Sequence, residues 1–254
     1  MPYGTACKVY EKIAATDVAA DGIRPGGLEL TERALAWCEF PPHSVILDVG
    51  CGTGVTLDRL TRIHDFSAIG IDASSALLNQ SLMRNTALVL VRAAGEMLPF
   101  PDESADGIFA ECSLSVMGDP GRALDEFRRV LKIGGRLILS DVYTRKPESV
   151  HQLKRMPLEC CLRGAVSKEN LLGRLAARYF KLDLWEDRSD LLARFAVQLI
   201  FYYGSMNQFW LRSSAEPIDT DEIRRAVSEA KPGYFLLIAR KITGAEIMPK
   251  ESSQ

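Results

Sequence analysis

Asp48, Gly50, Gly52 and Gly54 stand at alternate positions where an apolar run ends, Val45-Ile-Leu-Asp-Val-Gly-Cys-Gly-Thr-Gly54. Glycines at such a place let the chain turn sharply from strand to helix and let its backbone approach a ligand closely. The predicted helix from Val55 to about His64 carries Leu57 and Leu60 on one face and opens at the glycines. Its first N–H groups therefore point at whatever binds. A second carboxylate, Asp72, ends the short apolar run Ala68-Ile-Gly-Ile-Asp72. It follows the loop by about 20 residues, the separation expected of an acid that holds a ribose diol. A carboxylate accepts two hydrogen bonds at once, which suits vicinal hydroxyls. A dinucleotide pyrophosphate needs Gly-x-Gly-x-x-Gly, whereas Val55 stands three residues after Gly52, so the spacing disfavours a nicotinamide dehydrogenase. Taken singly, the glycines fit a tight turn without a ligand and Asp72 fits a plain strand-end acid.

Hydrophobic periodicity supplies the elements that must position these residues. Leu28–Glu39 reads as a helix, stopped by Pro41-Pro42 before strand one. Strands follow at Val45–Val49, Ala68–Asp72, Leu88–Val91, Asp106–Glu111 and from about Arg136 to Tyr143. Helices lie between them, one capped by Ser74 and one bearing Leu124, Phe127, Val130 and Leu131. Such alternation means parallel strands joined by right-handed crossovers. Ser167 is read as the cap of a helix with Leu171, Leu172 and Leu175, and Phe180–Trp185 as strand six. The segment 187–232 is long for a loop and reads as helical, with Ser189 as one cap and Asp219, with Glu222 three later, as another. Gly233–Lys241 is the last strand, apolar enough to be covered on both faces.

The spacing Asp-x-Gly-x-Gly-x-Gly at 48–54 resembles motif I of the class I S-adenosylmethionine (SAM)-dependent methyltransferases. Leu98-Pro-Phe-Pro-Asp102, Asp106-Gly-Ile-Phe-Ala-Glu111 and Leu131-Lys-Ile-Gly-Gly135 are similar, in order, to stretches of the methyltransferase type 11 group, which includes quinone-biosynthesis enzymes. The resemblance covers about residues 26–145 and the last strand. It implies a Rossmann-like α/β fold of seven strands, order 3-2-1-4-5-7-6 with the last antiparallel, helices on both faces and a helical insertion between strands six and seven. It implies one methyltransferase domain over 1–254: an N-terminal cover segment at 1–27, a core at 28–186 and 233–241, and the insertion at 187–232. It also implies SAM as cofactor, with S-adenosylhomocysteine as product. The cofactor would lie over Asp48, Gly50, Cys51, Gly52 and Gly54, with Asp72 and Ala73 at the ribose and Ala94, Gly95 and Glu96 beside the adenine. Gly27 and Glu111 would line the methionine end. Family members often carry an acid near position 94; here Ala94 offers only its backbone, and Glu96 is the nearest carboxylate.

Methyl transfer from a sulfonium needs an in-line nucleophile and dry surroundings, and a base only where the acceptor must lose a proton. His151, Glu111 and Asp141 are the weak candidates for such a base, since they lie beyond the carboxyl ends of strands five and four. His43 and His64 fall on the opposite side. The Asn-Pro-Pro-Tyr type sequence of amino methyltransferases acting on adenine or glutamine is missing, which points to a small-molecule acceptor. Cysteines at 7, 38, 51, 112, 160 and 161 form no Cys-x-x-Cys, so no metal site is expected. Glu159-Cys-Cys-Leu-Arg-Gly-Ala-Val is similar to a segment of arsenite methyltransferases, which makes Cys160 and Cys161 an alternative, although two of the thiols expected there are absent. A further alternative is a SAM-binding module without turnover.

Of 254 residues, 47% are hydrophobic and 25% charged, with net charge −2. No global positive field draws such a chain to nucleic acid. No apolar run approaches the roughly 20 residues that span a bilayer. The first residues hold no signal-peptide core. The expectation is a cytoplasmic enzyme, free of membrane and nucleic acid, with a homodimer possible. The aromatics Phe201, Tyr202, Tyr203, Phe209 and Trp210 are expected to wall the acceptor pocket together with the N-terminal segment.

Overall fold

The computed structural model describes residues 7–14, 22–214 and 216–247. Its sheet contains β1 (Val45–Val49), β2 (Ser67–Asp72), β3 (Leu90–Arg92), β4 (Ala105–Glu111), β5 (Leu131–Thr144), a two-residue β6 (Val166–Ser167), β7 (Phe180–Asp187) and β8 (Pro232–Lys241). The strand order is β3-β2-β1-β4-β5-β8-β7, with β6 paired to β5 beside this path. The first five strands pair in parallel, and β8 runs antiparallel to both β5 and β7. Set β6 aside and the order is the expected 3-2-1-4-5-7-6.

The helices are α1 (Cys7–Ala14), α2 (Glu29–Cys38), α3 (Val55–Arg62), α4 (Ser75–Arg84), α5 (Pro120–Val130), α6 (Val150–Arg155), α7 (Lys168–Ala176), α8 (Ser189–Tyr203), α9 (Met206–Arg212) and α10 (Thr220–Ala230). Side chains alternate across a strand, and here the alternation feeds two separate cores. Phe109, Ile138, Tyr234, Leu236 and Ile238 pack with apolar residues of α1, α2, α3, α6, α8, α9 and α10. Ile108, Leu137, Leu139, Phe235 and Leu237 pack on the other face with α5 and α7. A sheet buried on both faces accounts for the near-continuous apolar runs of β5 and β8.

Three local expectations need correction. Strand three occupies Leu90–Arg92 rather than Leu88–Val91. Leu88 turns instead into the core beneath the glycine loop, where it would meet a side chain placed at Gly54. Ser189 is not a cap but the first residue of α8. Its N–H donates to Asp187 Oδ1 at 3.0 Å, so the strand-end acid does the capping. β6 was not expected at all, and two residues are too few to leave a periodic signal. Ser74, Ser167 and Asp219 do cap α4, α7 and α10 through their side-chain oxygens. α8 ends at Gly204, whose φ of 82° is left-handed, and α9 restarts two residues later.

The turn at Cys161–Gly164 stacks on the segment after β4. A Cβ on Gly164 would come within 1.7 Å of the Ser115 carbonyl oxygen. Gly164→Ala is therefore expected to lower stability by about 1–3 kcal/mol through overpacking. An unchanged urea midpoint would show that the two segments separate freely.

Candidate functional site

The turn from β1 to α3 is tied to its neighbour strand: the Gly50 and Cys51 N–H groups both donate to the Ile71 carbonyl, at 2.7 and 3.0 Å. Gly50, Gly52 and Gly54 have φ of 80°, 54° and 75°. Their surroundings differ. A Cβ at Gly50 would meet Ser113 Cβ at 2.4 Å, and one at Gly54 would meet Ser81 Oγ at 2.9 Å, so packing explains those two. A Cβ at Gly52 would meet nothing within 4 Å. There the bare backbone faces open space, the cradle a ligand needs.

Three carboxylates end the strands around this loop, and all are buried: Asp48 at 3% exposure, Asp72 at 8% and Glu111 at 7%. Asp72 accepts from Gly52 N on one oxygen (2.9 Å) and from Ser74 N on the other (2.8 Å). The Ala73 N–H is a further backbone donor to this carboxylate. Burial pushes Asp72 upward in pKa, against the pull of those backbone donors. Asp48 Oδ2 is buried with no hydrogen-bond partner among the described residues. Burial pushes its carboxyl up to about 8, and the charges of Glu111 and Asp72 add to that.

The third carboxylate is the hub of a network that the sequence did not reveal. Glu111 Oε1 and Oε2 accept from Thr31 Oγ1 at 2.9 and 3.2 Å, and Oε2 also accepts from Thr56 Oγ1 at 2.8 Å. Arg24 lies 3.1 Å from the same oxygen. It also donates to Thr31 and Thr56 and to the Gly27 carbonyl. Arg24 thus joins four segments. Its partners are distant in sequence, so no local pattern could single it out; only its place before Pro-Gly-Gly27 hinted at a fixed turn. One cation faces three acids here, which leaves surplus negative charge in the cleft. The arrangement suits a ligand that brings positive charge and a diol.

The other residues singled out from sequence are dispersed. Ala94 opens a turn, with Met97 N donating to its carbonyl at 3.0 Å. Gly95 is packed under Met117, and Glu96 turns its carboxylate to the Asp119 N–H at the cap of α5. Ala73 lies beside Asp72, its carbonyl taking Arg92 Nε at 3.3 Å. Cys51 is buried, and burial raises its thiol well above the usual range. Asp141, pushed to about 6 by burial, is held by Ser115 N, Ser115 Oγ and Val142 N. His151 is exposed on α6. Cys112 faces Cys161, but burial drives the adjacent Cys160 thiol up to about 12, which makes it a poor soft-ion ligand at neutral pH. Among the described residues no group of three or more His, Cys, Asp or Glu could hold a metal ion.

α1 lies over this region. Ser74 Oγ donates to Glu11 Oε1 at 2.5 Å beside Asp72, and the Cys161 N–H donates to the Tyr10 hydroxyl at 3.2 Å. The aromatics of the 187–232 segment divide. Phe209 and Trp210 are buried in the core, and Phe201 is 92% exposed. Tyr202 and Tyr203 line a cavity of about 380 Å³ with Val9, Lys12, Ile13, Leu211 and Arg212.

The buried Arg24–Glu111 pair generates a contrast between two ion pairs. Arg24→Met should cost about 3–5 kcal/mol, because it strands Glu111 without a counter-charge. Arg33→Met, which breaks the exposed pair with Glu186, should cost about 1 kcal/mol or less. Equal losses in denaturant titrations would contradict the hub.

Residues 47–139 match the family described as a methyltransferase domain. Demethylmenaquinone methyltransferase of Symbiobacterium thermophilum is 33% identical over 141 residues, covering 52% of this chain and 56% of that protein. An O-methyltransferase of Pyrenophora dematioidea is 36% identical over 107 residues, 40% of each. The chain spans about half the length of the curated relatives it matches. The [4+2]-cyclase SpnF has the same fold at a TM-score of 0.72 and 24% identity, over 93% of this chain and 95% of that one. A phosphoethanolamine N-methyltransferase of Haemonchus contortus, solved with SAM, superposes at 0.65 with 16% identity, over 93% of this chain and 56% of that one. Among the described residues no helix is long and apolar enough to cross a membrane. The glycine turn open at Gly52 and the acids after β1, β2 and β4 all fall within residues 47–139, the stretch that is similar to the methyltransferase domain family.

Proposed function

We propose that the chain transfers a methyl group from SAM to a small-molecule acceptor admitted beneath α1, α8 and α9. The observation that carries the reading is the surplus of buried carboxylate around Gly52, above all the unpartnered Asp48 Oδ2. Bound SAM supplies a methyl already activated by a positive sulfonium. The chain's own residues hold and shield. Gly52 offers bare backbone; Asp72 offers its remaining acceptor capacity to the ribose hydroxyls; Asp48 faces the ammonium. Backbone groups of Ala94 and Gly95 flank the adenine, since Glu96 is committed to α5. Gly27 and Glu111 line the methionine end, Glu111 through the charge it keeps beside Arg24. No residue is assigned as base: Glu111 is paired with Arg24, Asp141 is held by Ser115 and Val142, and His151 is exposed on α6. Orientation and exclusion of water are then the protein's contribution. Transfer of labelled methyl from SAM to any of a panel of phenols, quinols and small acids tests the activity, and no transfer to any of them, with SAM bound, favours a non-catalytic binding module.

Two consequences concern the cofactor itself. Asp72→Ala should weaken SAM binding by about 2–3 kcal/mol, because it removes charge-assisted hydrogen bonds to the diol; unchanged affinity by calorimetry would refute the assignment. The second is a pH dependence. With its free carboxyl at about 8, Asp48 is mostly protonated at pH 6–7. A cation seated beside it lowers that value, so binding below pH 8 expels a proton. Affinity should therefore rise with pH toward 8, by up to about tenfold per pH unit, and level off above. Asp48→Asn should flatten the profile, and a profile that falls with pH would reject the pairing.

A further inference from the structure

The cavity between α1 and the α8–α9 hairpin has a composition that selects a ligand class. Its walls are Val9, Ile13, Leu211 and the edge-on rings of Tyr202 and Tyr203, whose centroids are 4.9 Å apart. Its polar lining is Lys12, Arg212, Ser213 and Ser214, with no carboxylate among the described residues. The serine hydroxyls already donate to the carbonyls of Phe209, Pro157 and Glu216.

The two cations face the cavity without an acid beside them among the described residues. Arg33, Arg129, Arg178 and Arg188 each sit against an acid, in keeping with a composition of 31 basic and 33 acidic residues. Lys12 and Arg212 have no carboxylate within ion-pair distance among the described residues. Arg212 instead lies over the Tyr203 ring, 5.4 Å from its centroid. Both line the same apolar concavity, so an anion seated there meets two cations without displacing a carboxylate of the described residues. At about 380 Å³ the cavity has the size of a small-molecule site.

We propose that this cavity binds an aromatic monoanion, its carboxylate or equivalent acid held by Lys12 and Arg212 and its ring against Tyr203, Ile13 and Leu211. The identification of that molecule as the methyl acceptor rests on the methyltransferase reading above; the site itself does not. α1 supplies Lys12 and Ile13 to the cavity and Tyr10 and Glu11 to the neighbouring cleft, so occupation of one is felt at the cover of the other.

The test is calorimetric titration of the whole chain with 2-naphthoate, its neutral amide and 2-naphthylmethylamine, with SAM titrated separately. Naphthoate should bind at least about tenfold more tightly than the amide, and the amine weakest, as expected when charged hydrogen bonds decide affinity. The double variant Lys12→Met, Arg212→Met should lose that preference while keeping its amide affinity and its SAM affinity, which also shows that it folds. Tyr203→Ala should weaken acid and amide alike. Equal binding of acid and amide, or a preference that survives the double variant, would overturn the proposal. Naphthoate binding with no SAM binding would leave the site standing and remove the methyltransferase reading instead.

Discussion

Glu111 sits at the end of β4 with its charge out of water, and four segments converge on it: the Arg24 turn, Thr31 of α2, Thr56 of α3 and the strand itself. A buried ion pair is poor evidence of stability, since desolvation of both charges consumes most of their attraction. What such a pair gives is a fixed geometry, because the alternative is a stranded charge. Thr56 belongs to the first turn of the helix that follows the glycines, so the network holds that helix against the sheet. Arg24 also orients the turn that follows it, in which Gly26 has a left-handed φ of 80°. A side chain at Gly26 would collide with Leu191 at 2.7 Å. The turn that Glu111 organises is thus the seat on which α8 packs, and the roof of the molecule inherits its position from an acid on the sheet.

The same cleft contains an electrostatic imbalance that folding alone would not select. Asp48 has a buried oxygen without a donor, and its carboxyl is raised by burial and by two neighbouring acids. Unsatisfied buried polar groups are rare in native proteins and call for an explanation. An apolar residue in place of Asp48 would remove the cost. The imbalance makes sense where the working state includes a cation: the stability given up in the free protein returns as affinity when the charge is matched. SAM, which carries both an ammonium and a sulfonium, is such a ligand, and its demethylated product has lost the sulfonium charge.

Whatever depends on sequence-local signals could be read directly. The glycine turn, Asp72 at its fixed distance, the caps Ser74, Ser167 and Asp219, and the strand order all follow from spacing or from the resemblance those residues carry. Features that arise from long-range pairing could not. Arg24 looks like any basic residue until Glu111 is brought beside it. The aromatics of 201–210 form one dense run in sequence, yet the break at Gly204 turns Phe209 and Trp210 inward and leaves Tyr202 and Tyr203 at the cavity. Strand three shifted because Leu88 is apolar enough to look like strand and is used instead to fill space below Gly54. Ser189 looked like a cap because the strand was expected to end at Trp185, whereas it runs on to Asp187, whose carboxylate takes the Ser189 N–H.

Fold and reaction are separable in this architecture. A [4+2]-cyclase superposes over nearly the whole length of this chain, as does an N-methyltransferase. The sheet and glycine turn common to such chains fix where a cofactor lies, and they leave open what happens above it. That decision falls to the segments above the sheet, here α1 and the α8–α9 hairpin. In this chain they present two tyrosines and two cations that have no acid beside them among the described residues. The opposed signs matter. On the proposals above, a negative cleft would attract a cationic ligand and repel an anion, and a positive cavity a few residues away along α1 would do the reverse. Two ligands of opposite charge would then be sorted to adjacent places without any moving part, with the short helix that carries Tyr10, Glu11 and Lys12 at the boundary between them.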